Sequence, residues 1–118
     1  MRTIIVLNPK GGCGKSTIAT NIASYFAIKG KKVTLADCDP QGSSRDWLSI
    51  RPNAYSAING IVVEGDRLQV PRNTDILIID TPAAVDDKRL KKYLRKAQSL
   101  VMPIIASVSY THLRAHET

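Results

Sequence analysis

Long apolar runs are missing from this 118-residue chain, and no stretch approaches the ~20 residues that a membrane-spanning helix needs. Insertion into a membrane as a helix is therefore excluded. The opening "MRTIIVLNPK" has only a short apolar run, below the ~7 to 15 residues of a secretory signal core, and reads as the start of a cytoplasmic protein. Cysteine is scarce too. Cys13 and Cys38 are the only two, and neither lies in a Cys-x-x-Cys spacing, which argues against a cysteine-ligated metal or a redox dithiol and for reduced, inert thiols. The length leaves room for one domain with a modest core. Acidic residues are few beside basic ones, 10 against 17, and the net charge of +7 points to an anionic partner: nucleotide, nucleic acid or an acidic protein. The remainder, 43% hydrophobic and 23% charged, is ordinary for a soluble globular protein.

What is present alternates between two periodicities. "RTIIVL" is a continuous apolar run rich in β-branched residues and reads as a buried strand, followed at once by a glycine-rich loop. From Ser16, Ile18, Ile22 and Phe26, flanked by Ala19, Ala23 and Ala27, recur at helical spacing until Lys29-Gly30, where glycine provides a stop. "KKVTLA" (31–36) is a second strand, "DCDPQGSS" a turn-rich loop, and "RDWLSI" a short helix ending near Pro52. A strand at Gly60 to Val63, with one helical turn after it, is the expectation for the next segment. "DILIIDTPA" is another interior strand. "DDKRLKKYLRKAQ" then places Leu90, Tyr93, Leu94 and Ala97 on one helical face, with Asp86 and Asp87 at its positive N-terminus, and "LVMPII" is a further strand. Strands alternating with helices predict an α/β fold, a mainly parallel sheet with helices on both faces.

The last eleven residues, "VSYTHLRAHET", have neither helical nor strand periodicity. Written as codons they resemble a transposon-end adapter used in sequencing libraries, so residues 108–118 are expected to be a non-native appendage and the native chain to be cut near Ser107. A chain stopped there lacks the later helices that would cover its sheet, and is expected to bind and turn over nucleotide poorly by itself.

The loop "NPKGGCGKST" carries the chemistry. In the pattern G-x-x-x-x-G-K-[ST], Gly14, Lys15 and Ser16 fill the last three places, Gly11 and Gly12 lie within the loop, and Pro9 stands where the first glycine usually is. Backbone N–H groups approach phosphate closely where no Cβ intervenes, and the N-terminus of the following helix adds partial positive charge. Lys15 should reach the β- and γ-phosphates, and the Ser16 hydroxyl should ligate Mg²⁺. Gly11, Gly12, Cys13, Gly14 and Thr17 complete the candidate ATP cradle. Asp37 and Asp39, two apart at a strand end, point two acids to the same side. Asp80 ends an apolar strand at the edge where ligands of α/β sheets bind. A second lysine, Lys10, has no part in the ordinary pattern.

"PKGGCGKST" with Asn21, "DCDPQGS" and "DTPA" together resemble the ParA/MinD family of P-loop ATPases with a deviant Walker A motif. The short start, "LNPKGG" and Trp47 after "DPQG" look most like the small ParA-type partition ATPases, over Arg2 to about Ser107. That makes residues 1–107 the N-terminal part of a ParA-like ATPase domain. The resemblance implies that Lys10 reaches across a dimer interface to the partner's nucleotide, that Asp39 positions the attacking water, and that Asp37 and Asp80 support Mg²⁺, Asp80 as the Walker B acid. It makes Lys10, Lys15 and Asp39 the catalytic set. It further implies ATP-dependent homodimerisation, non-specific DNA binding, stimulation by a centromere-binding ParB-like partner, and a nucleoid-associated place in the cytoplasm, with plasmid or chromosome segregation as the output. A MinD-like division-site ATPase and a non-hydrolysing nucleotide-gated module are the alternatives. Lys88, Arg89, Lys91, Lys92, Arg95 and Lys96 form either a solvated helix face or a DNA-backbone contact.

Overall fold

The first apolar run becomes the second strand from one edge of a five-stranded sheet in which every pairing is parallel. The structure is a computed structural model and describes residues 1–7, 15–38, 42–52, 55, 57–63, 68–82 and 87–102. The elements are β1 (Arg2–Val6), α1 (Lys15–Ile28), β2 (Val33–Asp37), α2 (Ser43–Ser49), β3 (Ile58–Val62), β4 (Ile76–Asp80), α3 (Asp87–Lys96) and β5 (Ser99–Val101). Their spatial order is β3-β2-β4-β1-β5. The alternation of strands and helices thus gives the α/β fold expected of it.

The three inner strands, β2, β4 and β1, are buried on both faces apart from Arg2 at the start of β1. Ile4, Val6, Val33, Leu35, Ile76 and Ile78 pack under α1, whereas Ile5, Leu7, Ala36, Leu77 and Ile79 face the side closed by Tyr93 of α3. Ile5, Leu35, Leu77, Ile78 and Ile79 are among the fully buried side chains, and each contributes about 1.5–3 kcal/mol by leaving water. In α1 the residues with least exposure are Ala19, Ala23 and Ala27, while Ile18, Ile22 and Phe26 lie only partly buried around them. Small side chains let the helix approach the sheet, and the larger ones fill the flanks. The helix ends at Gly30, whose φ of 83° is the left-handed conformation that lets Gly30 N–H donate to Ala27 C=O and Lys31 N–H to Phe26 C=O.

Some boundaries, that of β2 (expected over 31–36, found at Val33–Asp37) among them, and one helical face differ from the sequence expectation. α2 begins at Ser43, two residues earlier than "RDWLSI", because Gly42 takes a left-handed turn and its C=O accepts the first helical hydrogen bond, from Asp46 N–H. β3 begins at Ile58 because pairing with β2, Val33 with Ile58 through Asp37 with Val62, extends the strand across Asn59-Gly60. A Cβ at Gly60 would stand 2.6 Å from Leu48 Cδ1, so the bare glycine lets α2 settle on this strand. On α3, Tyr93 is buried and Leu90 and Ala97 pack beside it, but Leu94 is 41% exposed and does not belong to the packed face. The helical turn expected after Val63, the end of "LVMPII" and the tail 108–118 lie outside the described residues.

Candidate functional site

The strand order places a change of direction between β4 and β1. The chain leaves β1 through α1 toward β2, and leaves β4 through α3 toward β5, on the opposite face. At such a point the two connections part and leave a crevice beyond the carboxyl ends of the strands. The residues converging there are Val6, Asp80 and Asp37, which end β1, β4 and β2, with Leu7, Thr81 and Cys38 just after them. Register makes the meeting exact to the residue: Val6 pairs with Asp80, and Asp80 pairs with Asp37. Partners in a parallel ladder point to the same face, so both carboxylates lie on the α1 side.

Asp80 has no exposed surface and Asp37 is 4% exposed. Ser44 of α2, also fully buried, donates its hydroxyl to Asp80 Oδ2. Thr81 is held by its own strand's neighbour: its Oγ1 donates to Val6 C=O at 2.9 Å, and its N–H to the same oxygen at 3.3 Å. Cys38 N–H donates to Asp80 C=O at 2.9 Å, which fixes the end of β2 against the end of β4. On the other face the Cys38 thiol is pushed up to about 11, chiefly by burial, with Asp37 and Asp80 adding to the shift; the Tyr93 hydroxyl, hydrogen-bonded to the thiol, and Arg89 oppose it. This is the inert, reduced thiol expected of the sequence, and not a nucleophile.

Of the site residues read from the sequence, the structure brings together Asp37 and Asp80, and places the first turn of α1, with Lys15 and Ser16, after the loop that leaves this crevice. Thr17 is exposed in that turn. Lys10, Gly11, Gly12, Cys13, Gly14 and Asp39 lie outside the described residues, as do the side chains of Lys15 and Ser16. Asn21 is exposed on α1, and Trp47 is half-buried with the Arg51 guanidinium 5.1 Å from its ring centroid. Sequence reasoning missed Ser44, which it left in a loop, and gave Tyr93 only an apolar role. The available signal for Tyr93 was its hydroxyl, which needs a partner when buried. For Ser44 there was none, because the contact spans α2 to β4.

Buried carboxylates at a strand edge, with hydroxyls beside them, are the oxygen donors a hard divalent cation takes. Among the described residues no three His, Cys, Asp or Glu side chains meet, and the third acid expected here, Asp39, is outside them. Asp37 and Asp80 thus fit Mg²⁺ as a pair of supporting acids and not as a closed metal cage. A separate cavity of about 380 Å³ opens at the opposite, amino-terminal end of the strands, lined by Gly30, Lys32, Thr34, Asn59 and Thr74 among others, far along the sheet from the acids. No described helix is long and apolar enough to cross a membrane.

Residues 4–113 match the family described as the CobQ/CobB/MinD/ParA nucleotide binding domain. The chain is 36% identical over 106 residues to the maintenance of carboxysome distribution protein A of Gloeobacter kilaueensis, covering 86% of this chain and 48% of that protein. It is 43% identical over 67 residues to the chromosome-partitioning ATPase Soj of Thermus thermophilus, covering 55% of this chain and 27% of that protein. Among solved structures, a nucleotide-binding protein from Archaeoglobus fulgidus in complex with ADP shares the fold at a TM-score of 0.65 and 21% identity, over 98% of this chain and 61% of that one. The chain spans about half or less of the length of these curated relatives. With the glycine-rich loop leaving β1 beside two buried acids, and a family match over nearly its whole length, the chain belongs to the CobQ/CobB/MinD/ParA family of nucleotide-binding domains.

Proposed function

We propose that the protein is a Mg²⁺-dependent ATPase of the ParA type, which dimerises on ATP, binds DNA non-specifically as the dimer, and is returned to monomer by hydrolysis stimulated by a centromere-bound partner. The observation that carries the nucleotide part is the pairing of Asp37 with Asp80, buried side by side where the loop 8–14 leaves β1. Lys15 and the backbone of Gly11 to Thr17 hold the phosphates of the subunit's own ATP. Lys10 serves the partner's, which makes dimerisation depend on nucleotide. Ser16 and the two acids orient Mg²⁺, which when bound neutralises charge on the β- and γ-phosphates. Asp39 holds the attacking water. Transfer of the γ-phosphoryl group rests on position and charge more than on covalent chemistry, so this small set suffices. Partition as the output is supported by the identity to the chromosome-partitioning relative.

Phosphate release and sedimentation velocity, on the protein extended over the length of its relatives, test this together. Lys10→Ala should retain nucleotide as a monomer and lose the ATP-dependent dimer; an undiminished dimer would remove the cross-subunit role. No phosphate release by the parent would favour a non-hydrolysing gated module. A second reading is favoured by the 36% identity over most of the chain to the carboxysome distribution protein. In it the same ATPase cycle positions a cytoplasmic body in the manner of the MinD-like proteins, and the cargo is not a replicon.

A further inference from the structure

In a parallel sheet joined by crossover helices, the helices run back against the strands, so helix ends and strand starts gather at one pole. Two features collect at that pole, opposite the acid-bearing edge. The first is charge. Lys29, Arg51, Arg95 and Lys96 end or follow helices, and Arg2, Lys31, Lys32 and Arg72 open or precede strands. One acid stands among these eight bases, Asp75, and its Oδ2 accepts the Lys32 N–H. The excess is as large as the net +7 of the whole chain. The other described acids, Asp37, Asp46, Asp80 and Asp87, end strands or lie in first helical turns toward the opposite edge. Cations at helix ends answer the helix dipole, but no comparable dipole calls for those that precede strands.

The second feature is apolar surface. Among the described residues the five most exposed large hydrophobics are Ile50, Ile28, Met1, Tyr55 and Tyr25, from 79% down to 56%, and all five lie at this pole. Each aliphatic one stands next to a base in the chain: Met1-Arg2, Ile28-Lys29 and Ile50-Arg51. Each tyrosine has a cation near its ring, Lys29 Nζ 5.5 Å from the Tyr25 centroid and the Arg51 guanidinium 5.3 Å from that of Tyr55. Singly exposed hydrophobics are ordinary, whereas five confined to one basic pole mark a contact. A phosphodiester backbone would use the bases and leave the aliphatic side chains in water; an anionic bilayer surface uses both. We infer that this pole is a peripheral membrane surface, which seats Met1, Ile28 and Ile50 at the boundary of headgroups and acyl chains and sets its bases against anionic lipid headgroups. Tyr25 and Tyr55 take the headgroup level, where amphipathic rings are favoured. The contact needs no spanning helix and turns the acid-bearing edge away from the bilayer, so it stands independently of ATP hydrolysis.

The test is flotation with lipid vesicles, without nucleotide, of the protein extended over the length of its relatives. It should float with vesicles of phosphatidylcholine and phosphatidylglycerol at about 3:1, and not with phosphatidylcholine alone. Ile28→Ser with Ile50→Ser should weaken that binding at least ~10-fold and leave affinity for duplex DNA unchanged. Lys29→Gln with Lys31→Gln and Arg72→Gln should weaken vesicle binding at least ~10-fold as well. All five side chains are exposed, so both variants keep the fold. Absence of flotation, or flotation that either variant leaves unaltered, would overturn the inference. Duplex DNA bound through the three bases by a protein that ignores vesicles would overturn it too, and assign the pole to nucleic acid.

Discussion

A carboxylate with no exposed surface is costly to keep charged unless hydrogen bonds or a cation meet it, and Asp80 receives the Ser44 hydroxyl. The same acid abuts Asp37 across the ladder, so a bound divalent ion would relieve two like charges at once. At this scale the proposed chemistry divides among side chains, and single substitutions separate them. Asp39→Ala should retain Mg-ATP and the dimer but lower steady-state turnover by at least ~100-fold, because the phosphate contacts remain and only the water loses its guide; turnover equal to the parent's would leave Asp39 as a turn cap. Cys38 gives a test of the structure that needs no nucleotide. Its thiol is raised from 9.0 to about 11, mainly by burial, so in a Cys13→Ser background alkylation at pH 8 should run ~100-fold slower than for a free cysteine, in proportion to thiolate. The sign for stability follows: the neutral thiol suits the fold fully below pH 9, and its contribution is lost as pH rises through about 11. Fast alkylation at pH 8 would mean that Tyr93 and α3 do not cover this site.

At the scale of the element, α1 illustrates how packing is decided by the smallest residues. Ala23 has no exposed surface between helix and sheet, so Ala23→Leu should overfill that gap and cost about 1–3 kcal/mol in urea denaturation. Gly30→Ala should cost about 1–2 kcal/mol through its positive φ alone, since nothing lies within 4 Å of the added Cβ. A stability unchanged in both would contradict the packing and the cap described. The strands and a mainly parallel sheet were legible in the sequence, because runs such as "IIVL" and "ILII", apolar at every position, make sense only where both faces are covered. The alanine stripe was less so. Periodicity marks Ile18, Ile22 and Phe26 as strongly as Ala19, Ala23 and Ala27, and only the approach of the helix shows which stripe faces the sheet. Leu94 fits the helical face of α3 by spacing, yet it extends past the buried ring of Tyr93 into solvent. Asp37 and Asp80 were legible as strand-end acids. Their mutual register, and the Ser44 hydroxyl on Asp80, arise from contacts between residues about forty apart, and no local pattern encodes those.

For the whole molecule, charge and fold point the same way. The net charge of +7 is concentrated in part on α3, where Lys88, Lys91, Lys92, Arg95 and Lys96 are exposed and Arg89 half-buried. If this face meets DNA in the dimer, neutralising Lys91, Lys92 and Arg95 should flatten the dependence of log affinity on log salt by up to ~0.9 per lost phosphate contact. An unchanged slope would return the helix to a solvated role. The central claim concerns the acid-bearing end of the sheet, and isothermal titration with Mg-ATP on the protein extended over the length of its relatives tests it most directly. The parent should bind one nucleotide per subunit, and Lys15→Ala should bind at least ~100-fold more weakly. Equal binding by the two proteins, or no binding by the parent, would contradict the assignment of the loop after β1 as a nucleotide site.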